Sequence, residues 1–283
     1  MSRIAVVTDS TCDLGPEVLA RMGVPMVPLK VHFGEETFSD YVDFTPADFF
    51  PKLVAASQNP TTSQPSPAEF LAVYRRLASE GAEGIVAVTI SSKLSGTYES
   101  ATLAAVDSPV PVRVVDSTFT SAAQALIVER VVAARDAGGD LDAVEKAGTD
   151  AVAVTDLYFV LDTLDYLVRG GRAGKAAGLA ASLLNIKPIL RVKNGVIEPF
   201  KKVKGSKRAY QEMAATAAQR SKEVGGVRVL LIHARAPELA ELMTSELKAA
   251  GLVGEIGPTY EIGAVIGTHV GPKTVGFGLI PLA

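Results

Sequence analysis

Four clusters of hydroxyl-bearing residues stand out in this 283-residue chain: Thr8-Asp9-Ser10-Thr11, Thr61-Thr62-Ser63-Gln64, Ser91-Ser92-Lys93-Leu94-Ser95-Gly96-Thr97 and Asp116-Ser117-Thr118. Hydroxyls and backbone N–H groups at helix starts suit an anion. Ser95-Gly96 is well composed for this, because Gly96 permits close backbone approach and Ser95 can donate its hydroxyl. His269, in the Gly-flanked loop Thr268-His269-Val270-Gly271, can supply a donor or a positive charge. A plainer reading stands beside each of these: Ser, Thr and Asp also cap helices and make turns. A lone histidine is more often structural, which is the reading for His32 and His233.

The elements that must position these residues follow an α/β order in the first half. Ile4 to Thr8, Met26 to Phe33, Gly84 to Ile90 and Val112 to Val115 read as strands. Helices are expected after Pro16, from Thr45-Pro46-Ala47-Asp48, from the capping box Ser66-Pro67-Ala68-Glu69, over Tyr98 to Val106 and over Ala122 to Ala137. That order implies a mainly parallel sheet with helices on both faces. In such sheets the loops at the carboxyl ends of strands line the ligand crevice, and three of the four hydroxyl clusters leave a strand in that way.

The second half differs. Ala176 to Ile186 reads as a helix of small and apolar residues. Lys193-Asn194-Gly195-Val196, between two strand-like runs, is a hairpin signal. A polar helix from about Ser206 to Val224, a strand at Val227 to His233, a helix at Pro237 to Ala250 and two final strands complete a mixed α+β pattern. The expected organisation is an N-terminal α/β domain over 1–155 and a C-terminal α+β domain over 156–283.

Several functions fail on composition or motif. With 28 Lys and Arg against 31 Asp and Glu, spread along the chain, there is no basic footprint for nucleic acid. The G-x-G-x-x-G dinucleotide fingerprint, the Walker lysine loop and the G-x-S-x-G elbow are all absent. No His or Cys pair has metal-ligand spacing, so no metal site is expected. Cys12 is the sole cysteine; it excludes an internal disulfide and suits a cytoplasmic protein. The start, Met1-Ser2-Arg3 running into an apolar strand, lacks a signal-peptide plan, and no run approaches the ~20 apolar residues of a spanning helix. One catalytic alternative survives: an acyl hydrolase or transferase with Ser95 as nucleophile and His269 as base.

Taken in order, the motifs resemble the DegV family of fatty-acid-binding proteins. The resemblance rests on Val7-Thr8-Asp9-Ser10-Thr11-Cys12-Asp13-Leu14, Thr62-Ser63-Gln64-Pro65, Ser91 to Tyr98, Val115-Asp116-Ser117, Gly170-Gly171-Arg172, Lys187-Pro188-Ile189 and His269-Val270-Gly271-Pro272. It implies a two-domain protein with a lipid tunnel. Thr62 and Ser95 would hydrogen-bond the carboxylate of a long-chain fatty acid, with His269 supporting them and Ser63, Gly96, Thr97, Arg172 and Lys204 as further contributors. It also implies no cofactor and no catalysis by the chain itself. A partner ATP-dependent fatty-acid kinase would phosphorylate the bound carboxylate, and any contact with a membrane surface would be transient.

Two positions depart from the family pattern: Lys204 stands where some relatives have arginine, and Lys273 where glycine is frequent. Apolar tunnel residues are expected among Leu161, Leu164, Leu167, Leu179, Leu183, Leu184 and Ile186, each of which also suits an ordinary core.

Overall fold

The structure, a computed structural model, describes residues 3–182 and 186–282. The chain opens with β1 (Ile4–Asp9), a 3-10 turn at Ser10–Cys12, and α1 (Gly15–Arg21). Then come β2 (Met26–Val27), β3 (Lys30–Phe33), β4 (Glu36–Ser39), α2 (Pro46–Ala55), β5 (Thr61–Ser63) and α3 (Pro67–Ser79). Full capping boxes start both α2 (Thr45 with Asp48) and α3 (Ser66 with Glu69), each with a proline in the first turn; they satisfy N–H groups that a helix leaves unpaired. Next are β6 (Gly84–Thr89), α4 (Thr97–Val106), β7 (Val112–Asp116), α5 (Ser121–Asp136) and α6 (Leu141–Val154). The second half runs β8 (Asp156–Val160), α7 (Asp165–Arg169), a 3-10 stretch at Gly174–Ser182, β9 (Ile186–Lys193), β10 (Val196–Lys204), α8 (Ser206–Glu223), β11 (Val227–His233), α9 (Pro237–Ala249), β12 (Gly254–Glu261), α10 (Ala264–Val270) and β13 (Val275–Pro281).

These strands form a parallel sheet in the order β2-β1-β6-β7, an antiparallel sheet β4-β3-β5, and a mixed sheet β10-β9-β8-β13-β11-β12. In the mixed sheet only β11 and β12 run parallel. Every residue of β6 is buried, as expected of a strand covered on both faces.

The parallel and mixed sheets share the layer that contains α5. Ten of its sixteen residues are buried, and a helix that is apolar or small nearly all round belongs between two layers. It packs on β1 and β6 on one side and on β8, β11 and β13 on the other. One apolar cluster therefore runs from Val6, Val86 and Val88 through Leu126, Val128 and Val131 to Leu157, Phe159, Leu190 and Ile232. A second lies beneath α8 and α9, where Met213, Ala217, Met243 and Leu247 meet Val229, Leu231 and Phe277. The antiparallel sheet packs against α10. Among the described residues no helix is long and apolar enough to cross a membrane.

The α/β first half, the parallel sheet and the mixed second sheet agree with the sequence expectation; several local elements differ. The single strand expected over Met26 to Phe33 is two strands in different sheets, because Pro28, which lacks an N–H, interrupts the ladder. Thr61–Ser63, a hydroxyl cluster to which the sequence assigned no element, is a strand paired with β3. His269 lies in the last turn of α10, not in a loop; the helix ends at Gly271, whose φ of 70° continues no helix. Gly174–Ser182 is 3-10, and Ile186 already belongs to β9; residues 183–185 of the expected helix lie outside the described residues. The hairpin reading of Asn194-Gly195 holds: both have positive φ, 52° and 82°, between antiparallel β9 and β10.

Candidate functional site

The carboxyl ends of β1, β6 and β7 carry three of the hydroxyl clusters, and two of these brace the third. Asp9, fully buried, accepts the backbone N–H of Ile90 at 2.8 Å. Asp116 accepts the N–H of Ser92 at 3.2 Å and that of Thr118 at 2.8 Å. The Ser91 to Gly96 segment is thereby held from both neighbouring strands. It is also held from the other half of the chain: Ser91 Oγ donates to the carbonyl of Gly195 at 2.9 Å, and Arg172 Nε donates to the carbonyl of Leu94 at 3.2 Å. The hairpin tip and the Gly170-Gly171-Arg172 turn thus close over the loop from the mixed-sheet side.

Within this frame Thr62, Ser63, Gln64, Ser95, Thr120, Arg172 and His269 line one cavity. Its remaining wall is apolar, made by Leu29, Ile90, Leu94, Leu167, Ile197, Val265, Ile266 and Val270. Thr62 Oγ1 lies 2.8 Å from His269 Nε2, and Ser95 Oγ lies 2.9 Å from Thr97 Oγ1. Ser63 Oγ lies 2.8 Å from His32 Nε2, whose Nδ1 is 2.9 Å from Thr37 Oγ1. His32 therefore ties strands together, and His233 Nδ1 accepts the N–H of Ala236 at 3.4 Å; both keep the structural role expected of them.

Burial, with a smaller push from the nearby Arg172 charge, lowers the His269 pKa to about 4. The imidazole is therefore neutral at pH 7. Its Nδ1 is buried without a hydrogen-bond partner and faces Gly170, where an added Cβ would come within 2.2 Å of that atom. Only glycine fits between α7 and the ring. Cys12 is buried, and its thiol pKa is pushed up by desolvation, which makes it an inert core residue.

The cavity measures about 60 Å³, well below the roughly 300–1,000 Å³ of a ligand cleft. An open tunnel is not seen among the described residues. Of the apolar residues expected to line one, Leu167 lines the cavity, while Leu161 and Leu164 are packed in the core and Leu179 rests against it. Leu183 and Leu184 lie outside the described residues. A broader depression of about 370 Å³ adjoins on the outside, lined by Lys93, Gly96 and Gly171 and sharing Leu94, Ser95, Arg172 and Ile197 with the inner cavity. Ser95 and Arg172 thus stand at the partition between the two.

Gly96 is the N-cap of α4 and Thr97 its first residue. Lys204 is not brought to the site; it ends β10, exposed, opposite Ile186. Gln64 received no role from sequence, yet it lines the cavity and covers Gly96, where an added Cβ would meet its Nε2 at 2.6 Å. Its place beside Thr62 and Ser63 was the only signal for it.

The fold and site define an α/β protein with a small pocket between its sheets, hydroxyl-rich on one side and apolar on the other. A family model described as "Uncharacterised protein, DegV family" matches residues 3–282, and the chain belongs to the DegV family. A DegV domain-containing protein from Streptomyces coelicolor is 38% identical over 282 residues, covering 98% of each chain. A DegV family protein from Thermus thermophilus, described for its fatty acid binding, superposes with a TM-score of 0.93 at 36% identity, covering 99% of this chain and 100% of that one. A stearic acid-binding protein from Eubacterium ventriosum superposes with a TM-score of 0.87 at 28% identity, over 99% and 98% of the two chains.

Proposed function

We propose that this protein binds a long-chain fatty acid by its carboxylate and presents it to a separate ATP-dependent kinase, which converts it to an acyl phosphate. The observation that carries the reading is the single cavity that joins the Thr62–His269 pair, Ser95 and Arg172 to an apolar wall. The likeness to fatty-acid-binding DegV proteins supports the ligand class.

The apolar wall leads towards the shared core, and the acyl chain enters there by displacing side chains. Each buried methylene contributes ~0.8 kcal/mol, so a chain of about sixteen carbons supplies on the order of 10 kcal/mol before association costs. The tail dominates affinity, and the hydroxyls orient the head.

At the head, Thr62 and Ser95 each donate a hydroxyl hydrogen to the carboxylate. Thr62 Oγ then accepts from His269, which sets the neutral imidazole as the Nε2–H tautomer and leaves Nδ1 bare against Gly170. Neutral donors hold the carboxylate without a tight ion pair that would suppress its nucleophilicity. One carboxylate oxygen attacks the γ-phosphorus of ATP on the partner, the P–O bond to ADP breaks, and ADP leaves. Lys93 and Arg172 on the outer depression supply positive charge where the phosphoryl group arrives. A transient contact with a membrane surface serves for ligand exchange.

In the alternative reading, Ser95 is a nucleophile and His269 its base, which requires the two within hydrogen-bond reach. Each is instead bonded to a threonine, and that favours the carrier. The test is organic extraction of purified protein followed by mass spectrometry. The carrier reading expects a stoichiometric fatty acid; protein that is repeatedly empty and takes none up defeats it. Turnover of an activated ester, lost in Ser95→Ala, would favour the hydrolase.

A further inference from the structure

The helix that brings His269 to the pocket is held at its other end by two buried acids. Asp13 Oδ1 accepts the N–H of Gly263 at 2.9 Å, and Asp40 Oδ1 accepts the N–H of Ala264 at 2.9 Å. These are the N-cap and first residue of α10. Tyr41 adds a third hold, its hydroxyl donating to the carbonyl of Glu261 at 3.1 Å and reaching Asp13 Oδ1 at 3.4 Å. Ser121 Oγ donates to the second oxygen of Asp13.

Two features make this arrangement costly as mere structure. Asp13 and Asp40 are 2% and 1% exposed, and no Lys, Arg or His bonds to either among the described residues. Asp40 Oδ2 makes no hydrogen bond of good geometry; beyond the Ala264 bond, only the Ser10 hydroxyl and the Val265 N–H lie beside the carboxylate to offset its burial. Burying carboxylates without a cation is unfavourable; burial raises the pKa of Asp13 to about 7, and burial together with the neighbouring Asp13 charge raises that of Asp40 to about 8. Second, Asp13, Tyr41 and Ser121 all adopt left-handed backbone, with φ of 56°, 61° and 55°, a conformation that costs any L-residue backbone energy. Strain of this kind persists where the surroundings over-determine it, often near functional sites.

α10 carries His269 together with Val265, Ile266 and Val270, all of which line the cavity. We propose that Asp13 and Asp40 are positioning residues for the head-group pocket: they touch no ligand, but by taking the first N–H groups of α10 they set where His269 meets Thr62. The proposal rests on the carboxylate-binding reading of that pocket.

The test compares Asp40→Ala, which removes the acceptor, with Asp40→Asn, which keeps a carbonyl in its place. Leu247→Ala, in the separate core beneath α9, serves as a destabilised control. In the ligand-free proteins, the His269 imidazole NMR resonances should move in Asp40→Ala, stay in Leu247→Ala and return in Asp40→Asn, with those of His32 and His233 unmoved throughout. Palmitate affinity should fall about tenfold in Asp40→Ala, the equivalent of one hydrogen bond, and recover in Asp40→Asn. If Asp40→Ala does not fold, Asp13→Ala, which removes the acceptor for the Gly263 N–H, carries the test, with the same shift of the His269 resonances expected and its return in Asp13→Asn. Unmoved His269 resonances in the folded variant overturn the proposal. Wild-type protein that binds no palmitate overturns the fatty-acid reading instead, and the spectra of the ligand-free proteins separate the two failures.

Discussion

Thr62 Oγ1 and His269 Nε2 lie 2.8 Å apart although 207 residues separate them in the chain. The contact joins the edge of the small antiparallel sheet, where Thr62 pairs with Val31, to the last turn of α10. Nothing local dictates it; it exists because α10 packs against that sheet. The pocket's polar face is therefore a product of tertiary assembly.

The state of His269 gives a first prediction. Its folded pKa of about 4 lies below the 6.5 of an unperturbed histidine. Between these values the unfolded chain binds more protons, so stability falls as pH drops from about 6.5 towards 4. The His269 share of that loss is on the order of 3 kcal/mol. An NMR titration should find His269 protonating well below pH 6.5. A His269 midpoint near 6.5 would contradict the buried, neutral imidazole.

Gly170 gives a second. Alanine there would place its Cβ within 2.2 Å of His269 Nδ1 and 3.0 Å of the Tyr166 carbonyl. The ring must then move away from Thr62. Gly170→Ala should weaken fatty-acid binding at least as much as removing one head-group hydrogen bond, about tenfold, as read by displacement of a fluorescent fatty acid. Equal affinity in the variant would mean that the ring has room to spare.

Lys273 gives a third. Its φ is 59°, and its N–H donates to the carbonyl of Ala234 at 2.8 Å, so the turn holds a non-glycine residue in left-handed backbone. Lys273→Gly should raise stability by roughly 1 kcal/mol in chemical denaturation while leaving ligand affinity alone. A destabilised variant would show that the lysine side chain contributes more than its backbone costs.

Much of this was legible in the sequence because periodicity and turn chemistry are local. The buried strands β1 and β6, the capping boxes at Thr45 and Ser66, and the Asn194-Gly195 hairpin all declare themselves within a few residues. So did the DegV likeness, whose motifs run through the whole chain. What stayed hidden depends on distant partners. Pro28 marks a break in the ladder, but that β2 joins the parallel sheet and β3 the antiparallel one is set by distant partners. His269 looks like a loop residue until Asp13 and Asp40 cap its helix from 250 and 224 positions away. α6, an amphipathic helix with Val144, Gly148 and Ala151 inward, was obscured by its polar, alanine-rich stretch. Conversely, Asp9 and Asp116 were flagged as possible crevice residues and turn out to brace the loop that carries Ser95.

The central claim is that hydroxyls of Thr62 and Ser95 hold the carboxylate of a long-chain fatty acid. Calorimetric titration of delipidated protein with palmitate tests it most directly, using wild type, Thr62→Ala, Ser95→Ala and the double variant. The account predicts one-to-one binding by wild type, about tenfold weaker binding for each single variant, and a larger loss for the double variant. Wild-type affinity retained in the double variant would contradict it.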